Sequence, residues 1–335
     1  MPTTLSNTQF EAALLAAEDA DVLPEERAEM LMEIAMGLQS RPKSPQQLLD
    51  AVSLYERARD TAPPQAVLLR ARIMARMGTA LQAMPDGGTQ SLERALQCFR
   101  TALETLQKQG QPEEVAELEL NQGLVLQALT GLGRGRITDA IAAYHRSLRV
   151  FGRETYPQEY AVLHNNLAIA YLAMPVTDET GRMREALAVQ SFEEVLKVIN
   201  LIDHPSEYAM INNNLGNALQ GVSSGHVLEN HLRALAAYDE ALRVRNVRDT
   251  PAEYANTIAN KANVLRWLVP DPTRPAPAGA NPGAGPADPL SEALALTREA
   301  GALFAQHGDS DKAALMADAA SEIEAELAQR RQRLN

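Results

Sequence analysis

Apolar positions along the chain recur three and four residues apart, the spacing of one face of an α-helix, and on that face small and large side chains alternate in a fixed order. Six triplets carry the pattern: Ala51, Tyr55, Ala58; Ala95, Phe99, Ala102; Ala140, Tyr144, Ser147; Ala188, Phe192, Val195; Ala234, Tyr238, Ala241; and Ala293, Thr297, Ala300. One large side chain between two small ones lets a neighbouring helix approach closely. A single such triplet is unremarkable in an alanine-rich chain, but six in register are not, and each predicts the second helix of a hairpin.

The first helix of each hairpin is marked by its opening. Pro24, Pro64, Pro112, Pro157, Pro205 and Pro251 stand about 40 to 48 residues apart, a solenoid period. Five of them read Pro-x-Glu, ending at Glu26, Glu114, Glu159, Glu207 and Glu253. Proline at the first helical position has its φ preset and lacks only an N–H that would find no partner there, while a nearby carboxylate meets the positive end of the helix dipole. Thr250 with Glu253 predicts a capping box. Tyr160, Tyr208 and Tyr254, each three residues after its proline, are predicted to pack between adjacent units. The resulting map is a capping segment 1–23 with a helix near 5–20, units 24–63, 64–111, 112–156, 157–204, 205–250 and 251–306, and a closing segment 307–335 with a helix near 310–333. The stretch "PDPTRPAPAGANPGAGPADP", residues 270–289, is too rich in Pro, Gly and Ala for a helix and reads as a loop within the last unit.

Composition narrows the class. Hydrophobic residues make up 45% of the 335, but aromatics only 4%, and Ala and Leu dominate over the β-branched residues that sheets favour. The net charge of -12 argues against nucleic acid as a main partner, since binding there is driven by phosphate neutralisation. No run of about 18 uncharged apolar residues predicts a membrane span, and the first residues have neither a basic start nor an apolar core. The expected setting is cytoplasmic. Cys98, the one cysteine, lies within "ALQCFRTAL" and reads as a buried structural thiol.

The small, aromatic, small order on the second helix follows "NLAIAY" (Asn166 to Tyr171) and "NLGNAL" (Asn214 to Leu219) on the first helix, and the whole resembles the tetratricopeptide repeat over about residues 24–306, most closely 112–246. The units exceed the usual length of about 34 residues and lack the tryptophan common early in the first helix. Opening with Pro, an acidic residue and then "NNLA", they are similar to the kinesin light chain type of repeat. The resemblance implies an all-α fold: a right-handed superhelical solenoid of about six helix pairs, closed by capping helices at both ends.

Nine residues after the six prolines stand Glu33, Ile73, Asn121, Asn166, Asn214 and Asn260. Asparagine is a mediocre helix former, so four consecutive units with Asn at one helical position call for a reason. In the family this position lies on the concave side, and a similar asparagine ladder lines the superhelix of the O-linked N-acetylglucosamine transferase. A carboxamide offers two donors and an acceptor, so it pairs with the N–H and C=O of an extended chain without reading its side chains. Asn165 and Asn213 sit one position earlier, and Asn217, Asn256, Asn263, Arg72, Arg76 and Arg266 fall where such an array turns residues inward. The arginines imply acidic groups on the bound partner. The competing readings are asparagines that brace one helix to the next or back-bond local carbonyls, and arginines that are solvated surface charges.

Catalytic chemistry finds little support. No histidine among His145, His164, His204, His226, His231 and His307 has an i, i+4 partner histidine or a nearby cysteine, so no metal or other cofactor is expected. "GLGRGR" (Gly131 to Arg136) lacks the preceding strand and Lys-Ser/Thr ending of a phosphate loop and reads as a turn. No nucleophile stands beside a base. The expected function is a non-enzymatic scaffold or adaptor that takes an extended peptide or partner helix in the groove. The alternatives are a peptide- or ligand-sensing regulator of an associated enzyme or transcription factor, and an assembly subunit of a larger complex; self-association stays open.

Overall fold

Proline opens seven of the thirteen helices found among the described residues, where it replaces an N–H that has no intrahelical partner. The computed structural model describes residues 15, 17, 21–85, 87–174, 179–222, 226–268 and 288–334, and these contain no strand. In chain order the helices are α1 (Pro24–Ser40), α2 (Pro45–Thr61), α3 (Val67–Gln82), α4 (Gly88–Gln109), α5 (Pro112–Gly131), α6 (Ile137–Ser147), α7 (Pro157–Leu172), α8 (Glu179–Leu196), α9 (Pro205–Gly221), α10 (Val227–Leu242), α11 (Pro251–Arg266), α12 (Pro289–Gln306) and α13 (Ser310–Leu334). The fold is all-helical. The leading helix expected near 5–20 lies outside the described residues apart from Leu15 and Ala17, and the loop expected at 270–289 lies outside them up to residue 287.

Three helix openings differ from the sequence reading. Pro64 does not start α3: Pro63 precedes a proline and is steered away from helical backbone, a turn closes through Ala66 N–H to Pro63 O (3.0 Å), and the helix begins at Val67. Pro289, assigned to the last loop, instead opens α12, as Pro45 opens α2. The capping box expected at Thr250 does not form. The Thr250 hydroxyl turns back to accept from Asn246 N–H (3.0 Å), and the capping geometry appears at α5 instead, where Gln111 N–H donates to Glu114 Oε2 at 2.9 Å.

The chain divides into two compact units, Met1–Asn166 and Leu167–Asn335. In the first, α1 packs on α2, α3 on α4 and α5 on α6, and the hairpins stack through α2 with α3 and α4 with α5. The first helices also touch one another, α1 with α3 and α3 with α5. The second unit repeats the scheme with α9 on α10, α11 on α12 and α12 on the closing helix α13, while α9 meets α11.

All six triplets are buried, with no member more than 3% exposed. The close approach they permit is met from the opposite side by glycine. A Cβ built on Gly78 would stand 2.4 Å from the Phe99 ring, one on Gly123 2.4 Å from Tyr144, and one on Gly216 2.5 Å from Tyr238. Each buried tyrosine still satisfies its hydroxyl: Tyr55 donates to Gln39 (2.7 Å), Tyr144 to Gln127 (3.0 Å) and Tyr238 to Asn217 (2.7 Å). Cys98 is buried beside Phe99, and burial pushes its thiol up to about 11, the environment of an unreactive cysteine.

Loops are set by side-chain chemistry too. Before α9, Asn200 Oδ1 accepts from the N–H groups of Ile202 and Asp203 (both 2.9 Å); before α11, Asn246 does the same with Arg248 (3.0 Å) and Asp249 (2.8 Å). These are Asx turns, and they deliver the chain to the next proline in the same way each time. "GLGRGR" is the turn expected between α5 and α6, with Gly133 and Gly135 at φ of +73° and +94°, where a side chain would be strained.

Candidate functional site

The face of interest is built by the first helices. Because α3 opens at Val67, its ninth residue onward is Arg76, whereas Ile73 is fully buried in the core. The corresponding positions of the first helices are therefore Glu33, Arg76, Asn121 and Asn166 in the first unit and Asn214 and Asn260 in the second. Only the tertiary start of α3 reveals that Arg76, and not Ile73, holds the helical position that asparagine holds in the later first helices.

In the first unit this face holds a cleft of about 170 Å³ lined by Met32 and Met36 of α1, Arg72, Ala75, Arg76 and Thr79 of α3, and Glu114, Glu117 and Asn121 of α5. One wall is apolar and flexible; the other is charged. Arg72 grips Glu114 with both arms of its guanidinium (Nε to Oε1 2.6 Å, Nη2 to Oε2 3.1 Å), and Arg76 reaches Glu117 at 3.3 Å. Asn121 has no hydrogen bond within the described residues. These arginines, expected from the sequence to accept acidic groups, face the chain's own carboxylates from the next first helix: Glu114 fills the Arg72 fork, and Glu117 meets one arm of Arg76. Arg266 is likewise occupied, by Glu322 (2.9 Å) and Glu326 of the closing helix α13.

The Arg72 guanidinium holds the Glu114 carboxyl below the usual carboxylate range, with Gln111 N–H adding to the effect. A carboxyl whose folded pKa is depressed stabilises the fold above its ordinary pKa and loses that contribution as pH falls through the depressed value. Both groups are partly exposed, so screening limits the effect to below about 1 kcal/mol. Arg72→Ala is expected to return Glu114 toward the ordinary range in a carboxyl NMR titration and to flatten the acid limb of stability by that small amount. An unmoved Glu114 titration would show that the pair is not formed in solution.

In the second unit the asparagines divide between bracing and exposure. Asn213 is buried and accepts from Asn260 Nδ2 at 3.3 Å, joining α9 to α11. Asn217 accepts from the Tyr238 hydroxyl, and Asn256 back-bonds to Ala252 O at 2.8 Å. Asn214 and Asn263 carry no hydrogen bond within the described residues; Asn214 is half-buried and Asn263 exposed. On α7, Asn166 back-bonds to Val162 O (2.9 Å), and Asn165 keeps a buried Oδ1 without a partner. Of the twelve residues singled out from sequence, Asn121, Asn165, Asn214 and Asn263 carry no side-chain hydrogen bond within the described residues, and of these Asn165 keeps its oxygen buried.

Sequence reading missed a second set of contacts. Tyr208 and Tyr254 are half-buried and donate to Glu240 Oε2 (2.7 Å) and Glu299 Oε1 (3.0 Å) on the second helix of their own hairpin. Tyr254 also packs on the cluster of Ala255, Ile258, Ala300, Leu303 and Phe304. Burial and the facing carboxylate raise the Tyr208 phenol, and the Tyr208 hydroxyl in turn lowers Glu240. The signal was present in the sequence: both glutamates follow the central residue of a triplet by two positions, after Tyr238 and Thr297.

Among the described residues no group of three His, Cys, Asp or Glu side chains is placed to hold a metal ion, and no helix is long and apolar enough to cross a membrane. Neither a protein-family model nor a curated protein matches the sequence. Among solved structures, the chain is similar over 89% of its length to 99% of a chain in the TPR2AB-domain:pHSP90-complex of yeast Sti1, at 14% identity and a TM-score of 0.29. A likeness of that degree leaves the fold to rest on the helical hairpins themselves.

Proposed function

We propose that the protein is a non-enzymatic scaffold whose first-helix face holds an extended peptide or a partner helix, with carboxamide side chains pairing to the partner's backbone. The observation that supports this reading is asparagine at one position of successive first helices, Asn121, Asn166, Asn214 and Asn260, of which Asn121 and Asn214 are half-buried and carry no side-chain hydrogen bond within the described residues. An unspent carboxamide matches a backbone N–H and C=O together, which suits recognition that is indifferent to side chains. The cleft beside Asn121, walled by Met32 and Met36, supplies apolar contact next to the amide. Arg72, Arg76 and Arg266 contribute to the fold by their ion pairs; ligand acids would have to displace Glu114, Glu117, Glu322 or Glu326 to reach them.

The test is a titration of the partner that copurifies with the intact chain against a variant carrying Asn121→Ala, Asn166→Ala, Asn214→Ala and Asn260→Ala. Loss of several backbone hydrogen bonds is expected to weaken affinity by about tenfold or more. Unaltered affinity, in a variant whose far-UV circular dichroism and unfolding midpoint match the parent, rejects these asparagines as the binding element.

A further inference from the structure

The face of α11 differs in kind from that of the first unit. Asn256, Asn260, Asn263 and Trp267 follow one another by four, three and four residues and so lie along one stripe of the helix and its C-cap. The stripe carries no charge, and it ends on the chain's single tryptophan, whose side chain is 67% exposed. Among the described residues, Lys261 pairs with Asp239 (2.6 Å) and Glu292 (3.7 Å), Arg266 with Glu322 and Glu326, and Arg330 with Asp288 (3.7 Å). An anionic ligand side chain laid on this stripe would therefore lose hydration beside the exposed carboxylates of Asp239 and Glu322 without gaining a cation that is not already paired. An indole left this open is a large apolar surface with one polar edge, the kind of group that anchors partners.

We propose that this stripe docks a proline-bearing segment of a partner, without acidic side chains and in the extended polyproline conformation, with a proline ring stacked on Trp267 and Asn263 donating to a backbone carbonyl. The inference rests on the reading of the chain as a peptide scaffold and specifies what one part of it takes. Polyproline backbone has no internal hydrogen bonds, and each proline removes an N–H, so its carbonyls need donors from the receptor. Asn263 has both of its N–H groups available; Asn256 and Asn260 have each committed one contact, to Ala252 O and to Asn213. The spacing also agrees. Four residues of helix advance about 6 Å, and two residues of polyproline helix advance about 6 Å, so alternate carbonyls come level with Asn263 and with the Trp267 ring. A preformed extended segment also loses little entropy on docking, and exposed aromatic surfaces are the usual receptor for it.

Because Trp267 is the sole tryptophan, its emission reports this stripe alone. The intact chain is titrated with a blocked ten-residue peptide of alternating alanine and proline, and with its counterpart bearing glutamate in place of alanine. The expected result is a saturable blue shift with a midpoint below about 1 mM for the first peptide, at least about tenfold weaker binding of the second, and a loss of about threefold to tenfold in Asn263→Ala. Asn263 is exposed, and its replacement is checked for an unchanged fold by circular dichroism. Emission that stays unmoved to about 5 mM peptide overturns the proposal, as does equal response to the glutamate peptide or an unaffected Asn263→Ala. The scaffold reading is judged separately, by the copurified partner and the fourfold asparagine variant, so it stands or falls on a readout that does not involve Trp267.

Discussion

Replacing Tyr144 by alanine is expected to lower stability by about 3 to 5 kcal/mol, the cost of deleting a fully buried aromatic side chain and leaving its cavity. Tyr144 is the central member of the α6 triplet, is entirely enclosed, and anchors its hydroxyl on Gln127 at 3.0 Å. The loss falls on the α5–α6 hairpin and on the neighbours it supports, because a stacked array is held by contacts between adjacent repeats. Guanidinium unfolding followed by circular dichroism reads the total, and hydrogen exchange reads where protection is lost. Tyr144→Phe separates the ring from the hydroxyl and is expected to cost only about 0.5 to 1.5 kcal/mol. A Tyr144→Ala protein as stable as the parent would mean that the ring is not the core of its hairpin.

The second large effect comes from adding a single methyl group. Gly123→Ala would place a Cβ 2.4 Å from Cε1 and 2.6 Å from Cδ1 of Tyr144, and that ring, buried and tethered, has nowhere to swing. Overpacking of this kind costs about 1 to 3 kcal/mol, outweighing the helix propensity of about 1 kcal/mol that alanine gains over glycine. In a Tyr144→Ala background the clash is gone, so the same substitution is expected to be neutral or stabilising by up to about 1 kcal/mol. The double-mutant cycle should therefore show a coupling of about 1 to 4 kcal/mol. Strict additivity would show that α5 and α6 do not meet at this glycine. The last hairpin carries the natural counterpart of the relieved pair: Thr297 takes the ring's place in its triplet, and Ala262, not glycine, stands eleven residues after Pro251.

The elements that were legible share one physical property: their signal is local. Proline at Pro112, Pro157, Pro205 and Pro251 fixes φ at a helix start whatever lies around it, and a spacing of four then three puts Ala140, Tyr144 and Ser147 on one face of any helix. Where a neighbour competes, local reading slips. Pro63 displaces the start of α3 from Pro64 to Val67, and the three-residue shift moves Arg76, not Ile73, into line with Asn121. Thr250 has a choice of two partners and takes Asn246 over the helix it was expected to cap.

For the candidate site the division is sharper. The sequence by itself determined that hairpins would repeat, which residues would form their cores, and that asparagines would recur at one place in successive first helices. Only the tertiary structure decided which polar groups are spent. Arg72 meets Glu114 across 42 residues of chain, Asn260 meets Asn213 across 47, and Arg266 meets Glu326 across 60. Nothing in a helix's own periodicity encodes such partners, because hydrogen bonds and ion pairs depend on which side chains a neighbouring helix brings within about 3 Å. Helix formation and burial follow from the order of residues along the chain, whereas the availability of Asn121, Asn214, Asn263 and Trp267 follows from what the stacked helices leave uncovered.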